Sequence, residues 1–229
     1  MDPRRFVRRL PLVTLIVCVA WCLSALGGPR VRAAAQPADD PAPADLSFGE
    51  LQEQSAQWLG RRVRFTFQFE SSPPVWNPYL TRFGTQDYVG AVGWGDDQFL
   101  WLADEFDAPG VLVFARRGTP AAKALAEANP YARFEVVGQV SQLFLGLPWI
   151  ELESAERLPQ ETGEGAILHA SRALRAMQAG HWSRALDDLA RAEISNLPDA
   201  ARAELARLRA VCEAERQARK LPILPTPVR

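Results

Sequence analysis

Three groups of side chains in this 229-residue chain have the types that chemistry requires. The first is acidic: Asp96, Asp97, Asp104, Glu105 and Asp107 cluster around two turns. Carboxylates gathered this way bind a hard cation such as Ca²⁺ when several oxygens converge. A converging pair also serves a hydrolase as general acid and base. Turns favour Asp for its local hydrogen bonds, and no Asp-x-Asp-x-Asp-Gly loop is present. The turn reading is therefore preferred, and Asp96, Asp97 and Asp104 stay weak metal candidates. The second group is Trp76, Tyr79, Arg82 and Phe83, in the proline-rich stretch 72–86. Aromatics beside an arginine are stacking platforms for a ligand; they also pin a long loop to a domain. The third group is Arg62 and Arg64, which share one strand face with Gln68 and Glu70. They form either a small anion patch or cross-strand pairs with acids.

The chain lacks the usual catalytic constellations. His169 and His181 are the only histidines, and neither has a metal-ligand spacing. There is no Gly-x-Ser-x-Gly motif and no phosphate-cradling glycine loop. Ser71 and Ser72 have no evident base. No cofactor and no resident metal are expected. Cys18 and Cys22 lie near the N-terminus, and Cys212 falls in a helical pattern as a small core residue.

Arg4, Arg5, Arg8 and Arg9 precede an uncharged apolar run from Leu10 to Leu26, and Ala33-Ala34-Ala35 follows. This is the pattern of a secretory signal peptide over residues 1–35. The run is at the short edge of a bilayer span of roughly 20 residues, so an uncleaved anchor over 10–26 is the alternative. The expected location is periplasmic or extracellular, with membrane contact only through this segment. Residues 36–45, rich in Pro, Ala and Asp, read as a flexible spacer. Charge is uneven beyond it. Residues 44–160 carry nine basic and fifteen acidic side chains, a net of −6, whereas 161–229 carry eleven and nine, a net of +2. Nucleic-acid affinity comes mostly from neutralising phosphates, so nucleic acid is a poor partner for the acidic part and a protein is the expected one.

These groups need elements to position them. RRVRFTFQFE at 61–70 alternates Val63, Phe65, Phe67 and Phe69 with polar residues, which predicts a strand with one buried face. A short helix is predicted before it at 46–59. Strands are predicted at 87–94, 98–103 and 111–116, a helix opens at Thr119-Pro120, and strands follow at 131–143 and 149–155. The period then turns helical, with helices at 164–179, 182–194 and 199–219 and a loose tail at 221–229. The expected class is α+β, with a small β-barrel domain at 46–160 and a helical segment at 161–220.

The strand RRVRFTFQF, the helix TPAAKALAEAN and the segments FEVVGQV and PWIEL, within residues 58–157, resemble an OB fold. The middle supplies three strand candidates where that fold has two. The resemblance implies a ligand surface at the 72–86 loop and the neighbouring sheet face. Gly180, Trp182, Ala185, Leu189 and Ala192, with Ala173 at the small position of the preceding helix, resemble a single tetratricopeptide-type hairpin; Pro198 falls about one place beyond the family's proline. That resemblance implies peptide recognition, although repeats of this kind usually stack in threes. The preferred function is a non-catalytic, exported binding or assembly module of the cell envelope. It would contact a protein or small ligand through the barrel loop and the helical face. An envelope hydrolase with a carboxylate or metal site near Asp96–Asp107 is the alternative, and single-stranded nucleic-acid binding by the barrel a second.

Overall fold

The structure, a computed structural model, describes residues 42–73 and 82–219. The N-terminal segment 1–41, the loop positions Trp76 and Tyr79, and the tail from 220 lie outside the described residues. The first elements are a two-residue strand, β1 (Ala44–Asp45), and α1 (Phe48–Glu53). Ser47 and Glu50 form a reciprocal capping box: the Ser47 N–H donates to Glu50 Oε2 at 2.8 Å, and the Glu50 N–H donates to Ser47 Oγ at 3.2 Å. The single helix predicted at 46–59 is instead two, because Gln54 leaves helical geometry (φ −116°, ψ 25°) before α2 (Ser55–Trp58). The break lets Phe48 and Leu51 enter the barrel core while the Ser55 hydroxyl donates to the Gly146 carbonyl at 2.9 Å.

The strand read from alternation is β2 (Arg62–Ser71), and Val63, Phe65, Phe67 and Phe69 are all buried. It is followed by β3 (Tyr88–Gly95), α3 (Ala103–Phe106), β4 (Val111–Arg116), α4 (Pro120–Ala126), β5 (Arg133–Phe144) and β6 (Leu147–Leu158). Hydrogen bonding runs β1-β2-β3-β4-β6-β5, and β5 returns to β2, so five strands close into a barrel with β1 added in parallel to β2. Only β4 and β6 pair in parallel within the barrel. Because α4 lies between β4 and β5, the topology is OB-like. Two glycines permit the curvature. A Cβ at Gly93 would sit 2.1 Å from the Gln68 carbonyl oxygen, and one at Gly138 would sit 2.5 Å from that of Glu151. Phe65, Phe67, Phe134, Val136 and Ile150 fill the interior, and Leu125 of α4 packs against them.

Two expectations are corrected here. Residues 98–103 are not a strand but an irregular turn leading into α3. Their apolar run satisfies no sheet: Phe99, Trp101 and Leu102 join the helical core instead. The Glu105 carboxylate accepts the Phe99 N–H and fixes the turn. Gln68, assigned to the wet face of β2, is buried. Its amide oxygen accepts the Thr162 N–H where the chain leaves the barrel for the helices, so a polar side chain on the outer face is covered and satisfied.

The helical part consists of α5 (Glu164–Gln178), α6 (Trp182–Ala192) and α7 (Asp199–Ala218). Ala166, Ala170 and Ala173 of α5 meet Ala185, Leu189 and Ala192 of α6 across a seam of small residues. Gly180 makes the turn between them at φ +71°, a conformation that favours glycine. Leu205, Leu208 and Cys212 bring α7 onto this core, and burial pushes the Cys212 thiol pKa up. Trp101 of the barrel connection is a member of the same core, so barrel and helices share one compact unit. Among the described residues no helix is long and apolar enough to cross a membrane.

Candidate functional site

The barrel face holds part of the aromatic group singled out in the sequence. Phe114 stands on β4 between Val113 and Ala115, which enter the barrel interior, so its ring lies on the outer face. Phe83 stacks on it with centroids 4.2 Å apart and planes 6° from parallel, and meets Tyr88 edge-on at 5.0 Å. Phe83 is fully buried. Beside it, Arg82 Nη2 donates to Glu151 Oε2 at 2.7 Å and to Ser141 Oγ at 2.6 Å. The Tyr88 hydroxyl donates to Glu151 Oε1 at 2.9 Å and accepts from Arg116 Nη2 at 2.9 Å. Burial, then the hydrogen bond to Glu151, raises the Tyr88 pKa. The stacking surface is thus filled by the chain's own Phe83. On β2, Arg62 Nε donates to Glu153 Oε1 at 3.0 Å, and Arg64 pairs with Asp45 at 3.4 Å.

The acidic group divides: Asp97, Asp104 and Glu105 line one pocket of about 320 Å³ beside Phe48 and Gln52 of α1, whereas Asp96 faces the barrel strands. Asp96 accepts from Thr66 Oγ1 at 2.6 Å and from Arg133 Nε at 2.8 Å, tying the turn after β3 to β2 and β5. Asp97 Oδ2 turns the other way and accepts the Gly49 N–H of α1 at 2.8 Å. Glu105 holds the Phe99 turn, and Asp104 and Asp107 are exposed at α3. Among the described residues no three His, Cys, Asp or Glu side chains are placed to hold a metal ion. His169 Nδ1 lies 3.0 Å from Asp188 Oδ1, a pair linking α5 to α6 that sequence reasoning missed because the partners are nineteen positions apart on different helices. His181 is exposed at the start of α6 and makes no side-chain cap.

A second missed feature is open. Where the 99–107 connection meets α5, a groove of about 470 Å³ lies between Trp101, Leu102 and Phe106 on one side and Ile167, Leu174 and Arg175 on the other. The Ser171 hydroxyl donates to the Trp101 carbonyl at 3.1 Å and fixes its floor. A smaller pocket of about 290 Å³ adjoins it around the helix, lined by Arg172, Arg175, His181 and Arg184 over Ala176 and Ala179. Arg175 lines both cavities. Helical spacing explains the layout. The alanine stripe of α5 faces α6, Ile167, Ser171, Leu174 and Gln178 face the barrel connection, and Arg172 and Arg175 follow on the third face. The sequence signal was that second apolar face of α5, which the alanine stripe masked.

No family model matches the chain, and neither a curated protein nor a solved structure matches it.

Proposed function

We propose that this chain is a non-catalytic, exported binding or assembly module of the cell envelope, and that it holds an extended apolar segment of a partner protein in the groove between the barrel connection and α5. The observation that carries this reading is the groove itself. Half-buried Leu102, Ile167 and Leu174 face one another across an opening of about 470 Å³, a size ordinary for a recognition site.

Three further features support it. The seam of Ala173, Ala185, Leu189 and Ala192, with its Gly180 turn and Trp182, agrees with the tetratricopeptide-type resemblance and hence with peptide recognition. Asp96, Asp97 and Glu105 are each engaged by a different partner, Arg133 with Thr66, the Gly49 N–H and the Phe99 N–H, which favours a structural role for them over acid–base catalysis. Arg62, Arg64 and Arg82 are each paired with a carboxylate, which disfavours nucleic acid on the barrel. Export rests on the basic-then-apolar N-terminal pattern with its Ala33-Ala34-Ala35 motif.

The test is site-specific photo-crosslinking in intact cells from Leu174 in the groove and from Leu145 at the exposed β5–β6 tip. A discrete adduct from position 174 is expected, absent from position 145 and lost when Leu102→Glu is added to a chain that still melts cooperatively. Identical adducts from both positions, or none from 174, would overturn the proposal.

A further inference from the structure

Arg172, Arg175 and Arg184 are distinguished by meeting at one pocket, not by lacking ion pairs alone, since among the described residues Arg61, Arg117, Arg191, Arg216 and Arg219 form none with a carboxylate either. Arg62, Arg82, Arg133, Arg157, Arg202, Arg207 and Arg209 each pair with a carboxylate. Among the described residues no carboxylate forms an ion pair with Arg172, Arg175 or Arg184, yet these three converge on one pocket with His181. A cation in the last turn of a helix is favoured by the helix dipole, which accounts for Arg175. It does not account for Arg172, one turn earlier, nor for Arg184. Arg184 is the third residue of α6, in a first turn that has no acidic residue and no side-chain cap. A cation there opposes the positive end of the helix. The unpaired N–H groups of that turn and the three guanidinium groups all favour an anion at the same place.

We propose that Arg172, Arg175 and Arg184, with the start of α6, form a carboxylate-binding pocket that takes the acidic side chains of the partner segment whose apolar residues lie in the groove. The inference rests on the groove being the partner site. Arg175 joins the two cavities, so a single extended peptide spans them. Asp107 lines the groove and repels acids, so the acidic residues of the peptide fall on the α5–α6 side. The recognised class is therefore an extended peptide with leucine-like residues next to glutamates or aspartates. Exposed charge pairs contribute little singly, and three together are expected to change affinity about tenfold, about 1.4 kcal/mol.

Fluorescence anisotropy with the full chain tests this, using a short labelled leucine–glutamate peptide and the same peptide with glutamine at the acidic positions. The acidic peptide should bind about tenfold more tightly, and the difference should vanish in R172Q/R175Q/R184Q and shrink as salt is raised. Inorganic phosphate should compete only weakly, since it lacks the apolar anchor. Arg184→Glu should weaken the acidic peptide more than Arg184→Gln does, since it places a carboxylate-repelling charge in the pocket, while the chain still melts cooperatively. Equal binding of both peptides, abolished by Leu174→Lys, would overturn the carboxylate pocket and leave the groove reading standing. Binding of neither peptide to the unaltered chain would overturn both. Phosphate competing as strongly as the acidic peptide would point to a free oxyanion site and overturn the peptide assignment.

Discussion

The barrel face and the α5 face carry the same kinds of side chain, aromatic and apolar groups beside arginines, but arrange them in opposite ways. On the barrel, Phe83 lies flat on Phe114, and Arg82 and Arg116 converge on Glu151 and Tyr88. On this face the aromatic ring and the arginines are each met by another part of the chain. On α5, Leu174 and Ile167 face a groove, and Arg172, Arg175 and Arg184 have no acidic partner among the described residues. The presence of binding-type residues is therefore a poor guide to a binding site. What distinguishes the two regions is whether the polar and apolar demands of those residues are already met.

The comparison breaks most sharply at Phe83. Phe83→Ala should destabilise the chain by about 3–5 kcal/mol, the usual cost of removing a buried aromatic ring, and leave peptide binding at α5 unchanged once folding is corrected for. Denaturant unfolding monitored alongside anisotropy checks both. A small stability loss with a gain of ligand binding at the barrel would show that Phe83 is a displaceable cover. Asp96→Asn comes next. The Asp96–Arg133 pair is largely shielded from water, and removing the charge leaves Arg133 without its partner, at an expected cost of about 2 kcal/mol. The same unfolding experiment reads it, and a metal-dependent change in the unaltered chain would argue against the purely structural role of that carboxylate.

How much of this contrast was legible in the sequence follows from the range of each signal. The barrel was legible because its strands are written in local alternation, and Val63 to Phe69 and Phe134 to Val140 state their buried faces within a few residues. The helices were legible for the same reason. Residues 98–103 misled because they form an apolar run of which Phe99, Trp101 and Leu102 go to the helical core, about seventy positions later. Gln68 looked solvated because its partner, Thr162, is 94 positions away. The groove was invisible for a related reason. It needs both Trp101 and Leu174, and neither helical period nor strand alternation says that these meet. Of the aromatic candidates, the structure places Phe83 in a core, and Trp76 and Tyr79 lie outside the described residues.

On the open face the expected pattern is reversed. Leu174→Arg should cost about 1 kcal/mol, well below Phe83→Ala, because Leu174 is only half-buried against the helical core, and abolish binding of the leucine–glutamate peptide. Loss of stability comparable to Phe83→Ala would mean that α5 depends on this face for its packing, and the contrast between the two regions would fail. Thermal unfolding and anisotropy on the same sample separate these outcomes.

The smallest expected effect sharpens the closed side. Burial and the Glu151 carboxylate hold the Tyr88 pKa above its ordinary value. A group whose folded pKa is raised contributes stability that is complete below the unfolded pKa, about 10 for tyrosine, and that is lost as pH rises through the folded pKa. The chain should therefore lose stability above about pH 10. Tyr88→Phe should lose less over the same range, since Arg82, Arg116 and Glu151 keep their charges there. Tyr131, also raised by burial, shifts in the same direction, so the substitution reduces the alkaline loss without removing it. An identical pH profile in both proteins would mean that ionised Tyr88 is as well accommodated in the folded chain as in water. The barrel network would then be open to solvent, and the barrel face would belong with α5 as a surface still able to take a ligand.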